Sequence, residues 1–300
     1  MSTCSSYLIH TSSSLKGIGV GLRAPHVNEI LQQRPKLDWL ELLADNHITK
    51  GGWLRRQAIE VAEQYPVTLH CVGMSIGSID PINYAYLKKI KSLAGEVKPK
   101  LISDHLCWTS LHSYYSHDLL PLPYTDEALN HVAARILQIQ DYLGERIAIE
   151  NVSAYLSYQH SSIDEVEFIN MLSEKADCLI LLDINNIYVN EKNNSQNSDE
   201  YINKINIDRI AEIHLAGYED MGSYYLDAHN HRVSEGVWSL FEKFLQRKST
   251  VPTLIEWDHD IPEFEVLYQE AIKAKTMTQH WNLAHVAAEQ GGDNEFTVSG

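Results

Sequence analysis

The side chains in this sequence best suited to holding a metal ion all follow short aliphatic runs. His70 closes "VTLH", Asp104 and His105 close "LISDH", and Glu150 and Asn151 close "IAIEN". Asp183, Asn185 and Asn186 follow "LILL", His214 closes "IAEIH", and Glu256 closes "TLIE". A further pair, Asp227 and His229, stands two apart in "LDAHNH". A buried carboxylate without a partner is strongly disfavoured, so acids repeated at the ends of apolar runs require cations. One histidine in such a place is most often structural; repetition over six runs is what points to metal. A mixed nitrogen and oxygen donor set suits iron, manganese or zinc better than magnesium or calcium. His70, His105, Glu150, Asp183, Asn186, His214, Asp227, His229 and Glu256 are too many donors for one ion, and bridging carboxylates allow two or three ions to share a site.

These residues can converge only if the runs are parallel strands. Eight aliphatic runs read as strands: "GIGVGL" from Gly17, "LDWLELL" from Leu37, "VTLHCV" from Val67, "KLISDHL" from Lys100, "RIAIEN" from Arg146, "CLILLDI" from Cys178, "IAEIHLA" from Ile210 and "PTLIEW" from Pro252. Between them lie stretches with helical spacing of apolar residues, among them "TDEALNHVAARILQIQDYLG", where Thr125 is positioned as an N-cap before an acidic first turn. Strands apolar on both faces and separated by helices form a parallel sheet, and eight such units predict a (β/α)8 TIM barrel, with a doubly wound open sheet as the alternative. Residues 1–16 read as an N-terminal tail, 17–275 as the barrel and 276–300 as a loosely held C-terminal tail; "NEKNNSQNSDE" reads as a polar loop. In a TIM barrel the carboxyl ends of the strands carry the active site, which is where the donors fall.

Composition narrows the function. The net charge is −16, from 40 acidic and 24 basic residues, which argues against nucleic acid or anionic lipid as partner because both need basic patches. Cys4, Cys71, Cys107 and Cys178 show no CxxC spacing, so neither a disulfide framework nor a zinc ribbon is expected. The first residues lack the basic and continuous apolar regions of a secretory signal, and no run of about 18 apolar residues occurs. A cytoplasmic protein that does not span a membrane is expected.

Several stretches, in order, resemble the multinuclear non-haem iron-dependent oxidative enzymes, the family of the methanobactin-biosynthesis oxidase: "GVGLRAPHVNEIL", "LHCVGMSIGS", "DHLCWTS", "AIENVSAYL", "LLDINNIYVN", "EIHLAGY" and "PTLIEWDHDIP". The resemblance runs from about Gly17 to about Ala274. It implies a xylose-isomerase-like barrel holding two or three iron ions, Fe2+ or Fe3+, that uses dioxygen to modify cysteine residues of a ribosomally made precursor peptide, giving oxazolone, thioamide or thiooxazole-type products. It also implies a small partner protein that captures the peptide's leader. The donor pattern is similar to that of endonuclease IV. Carried over, His70, His105 and Glu150 would hold one metal; Glu150 as a bridge, Asp183, His214 and Glu256 a second; Asn186, Asp227 and His229 a third. Glu150, Asp183 and His214 would be catalytic, and Asp104, Asn151 and Asn185 would support the ligands. Asn186 stands where the nuclease pattern has histidine, and an amide oxygen is a weaker ligand, so the third site is expected to be the weakest. After the second strand, where the family commonly carries a Glu-Asn-Tyr-like stretch, this chain has "ADNH".

Other readings compete. A zinc phosphodiesterase could use the same donors, but the acidic charge counts against DNA. A sugar isomerase of the same barrel type would be expected to place a lysine at a strand end, where only Lys100 occurs, at the wrong end. A non-enzymatic metal-binding protein is the third alternative. "GMSIG" matches a nucleophile elbow, yet "SIDPIN" follows it instead of a helix, so Ser75 is expected to line the substrate mouth and not to act as a nucleophile.

Overall fold

A computed structural model describes residues 15–112 and 114–292. Eight parallel strands close into a barrel: β1 (Ile18–Leu22), β2 (Trp39–Leu43), β3 (Val67–His70), β4 (Ile102–His105), β5 (Ala148–Glu150), β6 (Leu179–Asp183), β7 (Ile210–Leu215) and β8 (Thr253–Ile255). Each pairs with its sequence neighbours, and β1 pairs with β8. All eight coincide with the aliphatic runs. The surrounding helices are α1 (Val27–Gln33), α2 (Trp53–Ala62), α3 (Tyr84–Val97), α4 (Asp126–Leu143), α5 (Glu165–Lys175), α6 (Ile184–Asn194), α7 (Ser198–Lys204), α8 (Glu235–Arg247) and α9 (Phe264–Gly292). Thr125 caps α4 as expected, its Oγ1 accepting from the Ala128 amide at 3.2 Å.

Strand alternation divides the core in two. One set, such as Leu40, Leu69, Ile149, Ile180 and Leu182, packs outward against the helices. The other faces the barrel interior, where Leu101, Ala148 and Leu181 form one small apolar cluster and Leu15, Trp39 and Leu254 another. Gly19 is required there: a Cβ on it would lie 2.5 Å from the Trp39 ring. Two residues beyond these floor positions the same interior face turns to acids and histidines.

Two local expectations are revised. The stretch around Asn194 is mostly helical, because Asp183 caps α6 through the Asn186 amide and Asn197 caps α7 through the Glu200 amide at 3.0 Å. The C-terminal segment continues as α9 well beyond residue 276, with Trp281 against the core and His285 Nε2 hydrogen-bonded to the Leu245 carbonyl at 3.0 Å. Residues 1–14 and 293–300 of the expected tails lie outside the described residues. The connections after β4 and β7 carry antiparallel hairpins that the sequence did not signal, Trp108–Leu111 with Tyr114–Leu120 and Glu219–Asp220 with Tyr225–Leu226.

Candidate metal centre

Register sets the ligands side by side. His105 on β4 pairs with Glu150 on β5, and Asp183 on β6 pairs with His214 on β7. Because the donors stand at or beside strand ends, side chains from six strands meet at one mouth, joined there by Asp227 and His229 from the connection after β7; of these donors all but Asp227 are buried.

Glu150 stands between two groups of donors. Its Oε2 is 3.2 Å from His70 Nε2 and 3.3 Å from His105 Nε2, while Oε1 faces His214 Nδ1 at 3.7 Å. His70, His105 and Glu150 form one cluster whose donor atoms lie within 4.8 Å of one another; Glu150, Asp183, His214 and Glu256 form a second. Their members are those of the first two groups that the resemblance implies. Glu150 Oε2 and Asp183 Oδ2 are buried without an aligned hydrogen-bond partner although nitrogens stand close to the first. Buried acceptor oxygens without a partner are open to a cation, although within the same groups His70 Nε2 meets His105 Nε2 at 3.2 Å and His214 Nδ1 meets Glu256 Oε2 at 3.0 Å.

The third group is arranged differently. His229 Nε2 lies 2.6 Å from Asp227 Oδ1, and Asp227 is further held by Asn185 Nδ2 and Ser153 Oγ, both at 2.8 Å. Asn186 gives its Nδ2 to the Asn151 carbonyl at 3.0 Å, leaving Oδ1 buried without a partner. At its other nitrogen His229 meets Asp258 Oδ2 at 3.1 Å and Glu256 Oε2 at 3.4 Å, and those three form a donor cluster of their own. Asp258 is thus an addition to the group.

The remaining sequence-singled residues hold the frame. Asn151 clamps Asp183 by two backbone hydrogen bonds, each 2.9 Å. Asp104 accepts from the Met74 and His105 amides, with Oδ1 3.8 Å from His105 Nδ1. Ser75 departs from its expected role as a mouth-lining residue: its Oγ is buried, accepting from the Thr109 and Ser110 amides at 2.9 and 3.2 Å and so tying the β3–α3 loop to the first hairpin. Asp45 of "ADNH" likewise holds scaffold, accepting from the Val72 amide and Tyr86 hydroxyl.

Arg23, Glu41, Glu212 and Asp258 escaped the sequence reading. Arg23, beyond β1, donates its Nε to Asp258 Oδ1 at 3.0 Å and places Nη2 3.5 Å from Glu256 Oε1. Glu41 and Glu212 lie on the interior face within β2 and β7, beside His214 Nε2 at 3.3 and 3.2 Å. A period-of-two signal was available: Glu212 precedes His214 by two, and Asp258 follows Glu256 by two.

Electrostatics agree with cation binding. Glu41, Glu150, Asp183, Glu212, Asp227, Glu256 and Asp258 gather around His214 and His229, and Arg23 pairs with Asp258 and Glu256 among them. Burial, reinforced by Asp183 and Glu256, pushes Glu150 well above the carboxylate range; burial likewise pushes Asp183 and Glu212 up to about 7. Burial also depresses His70 well below its ordinary value, with the neighbouring His105 and His214 adding to the effect. For His105 burial acts in the same direction but is overcome by Glu150 and Asp104, which push it up to about 9. Cations among them would restore ionised acids and free imidazole lone pairs.

A parallel eightfold barrel defines the class: a xylose-isomerase-like TIM barrel, here with groups of buried histidines and acids at its carboxyl face that could hold metal. Solved structures of that architecture align with the chain at low identity and show the fold alone. The apo 3-keto-D-glucoside 4-epimerase YcjR of E. coli has a TM-score of 0.54 at 17% identity, covering 89% of this chain and 100% of that one. A xylose isomerase-like TIM barrel/4-hydroxyphenylpyruvate dioxygenase fusion protein has a TM-score of 0.58 at 12% identity, covering 92% of this chain and 44% of that one. Within this class the chain belongs to the RiPP precursor modification enzyme family MbnB/TglH/ChrH, whose model matches residues 17–279. A UPF0276 protein of Acaryochloris marina is 48% identical over 270 residues, covering 89% of this chain and 97% of its own length. One from Anaeromyxobacter sp. is 44% identical over 278 residues, covering 93% and 97%.

Proposed function

We propose that the chain is an iron-dependent oxidase that uses dioxygen to modify cysteine residues of a ribosomally made precursor peptide, presented by a small leader-binding partner protein. The observation that carries this reading is Glu150, poised between two nitrogen-bearing donor groups, in a member of a peptide-modifying family. Two or three irons bound there would supply a seat for the peptide thiolate and the redox capacity to reduce dioxygen. The chain supplies the rest. Glu150 would be shared by the first two ions, the first held with His70 and His105; Asp183, His214 and Glu256 would hold the second; Asp227, His229 and Asn186 would hold the third and weakest. Arg23 balances part of the acid charge by pairing with Asp258 and Glu256.

A substrate larger than a metabolite fits the rim. Tyr114, Tyr115, Tyr155, Leu156, Met221 and Tyr224 are exposed on the connections after β4, β5 and β7, beside the mouth. Among the described residues no helix is long and apolar enough to cross a membrane, and Cys71, Cys107 and Cys178 are buried free thiols, which supports work in the reducing cytoplasm.

The test is protein purified without oxygen, analysed for metal and by Mössbauer spectroscopy, then mixed with partner, cysteine-bearing peptide and dioxygen. More than one iron per chain and an oxygen-dependent change in peptide mass are expected, with Cys→Ser in the peptide abolishing the change. Zinc-loaded protein that cuts abasic-site DNA, with no oxygen-dependent change in any cysteine peptide, would replace this reading with phosphodiester hydrolysis.

A further inference from the structure

His214 has two faces. Its Nδ1 points to the second donor group, 3.0 Å from Glu256 Oε2 and 3.7 Å from Glu150 Oε1. Its Nε2 points away, deeper into the barrel, to Glu212 Oε1 at 3.2 Å and Glu41 Oε2 at 3.3 Å. Both acids are buried to within 1% of full exclusion, and each keeps an Oε2 without an aligned hydrogen-bond partner. Neither had been read from the sequence as part of the centre. The imidazole ring therefore sits between a set of ligand oxygens on one side and two carboxylates, brought from β2 and β7, on the other.

We propose that Glu41 and Glu212 are positioning residues for the centre: they hold the proton of His214 on Nε2 and thereby present the Nδ1 lone pair to the metal bound by Glu150, Asp183 and Glu256. Both nitrogens face two carboxylates, but Glu256 and Glu150 on the Nδ1 side belong to the donor group that a cation would occupy, so in the metal-loaded protein the single N–H of a neutral imidazole falls to Nε2, beside Glu212 and Glu41. Turning the ring over would take that proton away from both acids and set a C–H against the carboxylates, so the pair fixes orientation as well as tautomer. A carboxylate behind a metal-bound histidine also strengthens the ligand. The contrast with His70 is direct, because its second nitrogen meets only the Ser103 hydroxyl, at 2.8 Å. Glu41, Glu212 and His214 could also be read as a cation site of their own, their donor atoms lying within 4.8 Å of one another. On that reading Nε2 would carry no proton and Glu212 would itself bind an ion, an outcome that the Glu212→Gln variant distinguishes.

The inference rests on the metal-centre reading but not on iron, dioxygen or peptide, so its test uses none of them. Cobalt(II) is titrated into metal-free protein under inert gas, with ion stoichiometry from native mass spectrometry and site geometry from the visible absorption bands. Glu212→Leu is expected to weaken one ion by about 10- to 100-fold, the range for loss of such a partner, and leave another unchanged. Glu41→Leu should act in the same sense. Glu212→Gln keeps an acceptor for Nε2–H and should restore most of the loss. Full-strength binding of every ion in both Leu variants would overturn the proposal; so would a Gln variant as weak as the Leu variant, which would make Glu212 itself a ligand. Should the Leu variants fail to fold, 15N spectra of zinc-loaded, histidine-labelled wild-type protein decide: His214 protonated on Nε2 alone supports the assignment, and a proton on Nδ1, or none on Nε2, refutes it. Protein that passes these tests yet oxidises no peptide would sink the oxidase reading alone.

Discussion

The floor and the mouth of this barrel come from the same strands, one interior step apart. Trp39, Ala148, Leu181 and Leu254 face the interior at the floor; two residues further along, Glu41, Glu150, Asp183 and Glu256 face it at the mouth. Both layers are buried, but they are held by different forces. Apolar burial stabilises the floor without help from outside the chain, whereas acids crowded at the mouth repel until cations join them. On β2, β5, β6 and β8 stability and chemistry are thus separated by two residues.

The largest expected effect lies at the residue shared by both clusters. Glu150→Ala should weaken two ions at once, each by more than about 100-fold, exceeding the loss from an outer partner. Asp227→Ala, touching only the third group, should release less metal under the same conditions. Equal losses in a metal titration of the two variants would show that Glu150 does not bridge. At the floor the pattern should invert. Leu181→Ala removes apolar contact with Leu101 and Ala148 and should cost about 2–5 kcal/mol in denaturant unfolding, while ion stoichiometry stays at the wild-type value. Loss of metal from a Leu181→Ala protein that still folds would break the division between the layers.

The pH dependence of metal-free protein sharpens the same contrast. Burial raises Asp183 and Glu212 to about 7, far above their unfolded values, so the folded state binds more protons than the unfolded one between roughly pH 4 and 7. Their contribution to stability is present at low pH and lost as pH rises through about 7. His105, raised to about 9, adds a loss in the same sense between about pH 6.5 and 9. Chelated protein should therefore melt at a lower temperature at pH 8 than at pH 5, and saturating metal should remove or reverse the difference by favouring the ionised acids. A metal-free melting temperature that rises steadily over this range would mean the mouth acids already have compensating charge within the chain.

The fold was legible because each barrel strand is a short aliphatic run with polar residues at its carboxyl end. The candidate donors His70, His105, Glu150, Asp183, His214 and Glu256 were legible for the same reason, since they close or directly follow those runs, while their division into groups came from the resemblance. Glu41 and Glu212 were not, because an acid inside a strand reads as a solvent-facing residue until closure of the barrel turns that face inward. Arg23 and Asp258 become partners only through the β1–β8 closure that brings chain positions 235 apart into contact. The hairpin after β4 was missed because "WTSLHSYYSHDLL" has no clean alternation or tight-turn pair. The Asn-rich stretch misled through composition, whereas two N-caps decided its structure.

Ser75 provides the smallest and most local test, at a motif that resembled chemistry and serves the scaffold. It occupies a left-handed conformation, φ 48°, and its hydroxyl accepts the Thr109 and Ser110 amides. Ser75→Ala removes that acceptor but keeps the strained conformation. Because Ser110 is half-buried and water can replace one bond, the cost should be about 1 kcal/mol, at the low end for buried donors left unpaired. Ser75→Gly loses the same hydroxyl yet relieves a conformation that costs a side chain roughly 1–2 kcal/mol, so it should unfold close to wild type. Neither change reaches a donor of the metal centre, and ion stoichiometry should be unaltered in both. Amide exchange at Thr109 and Ser110 should quicken in both variants, since the lost acceptor is common to them. A metal-independent esterase activity abolished by Ser75→Ala and by Ser75→Gly alike would instead return the serine to the chemistry that its motif resembles.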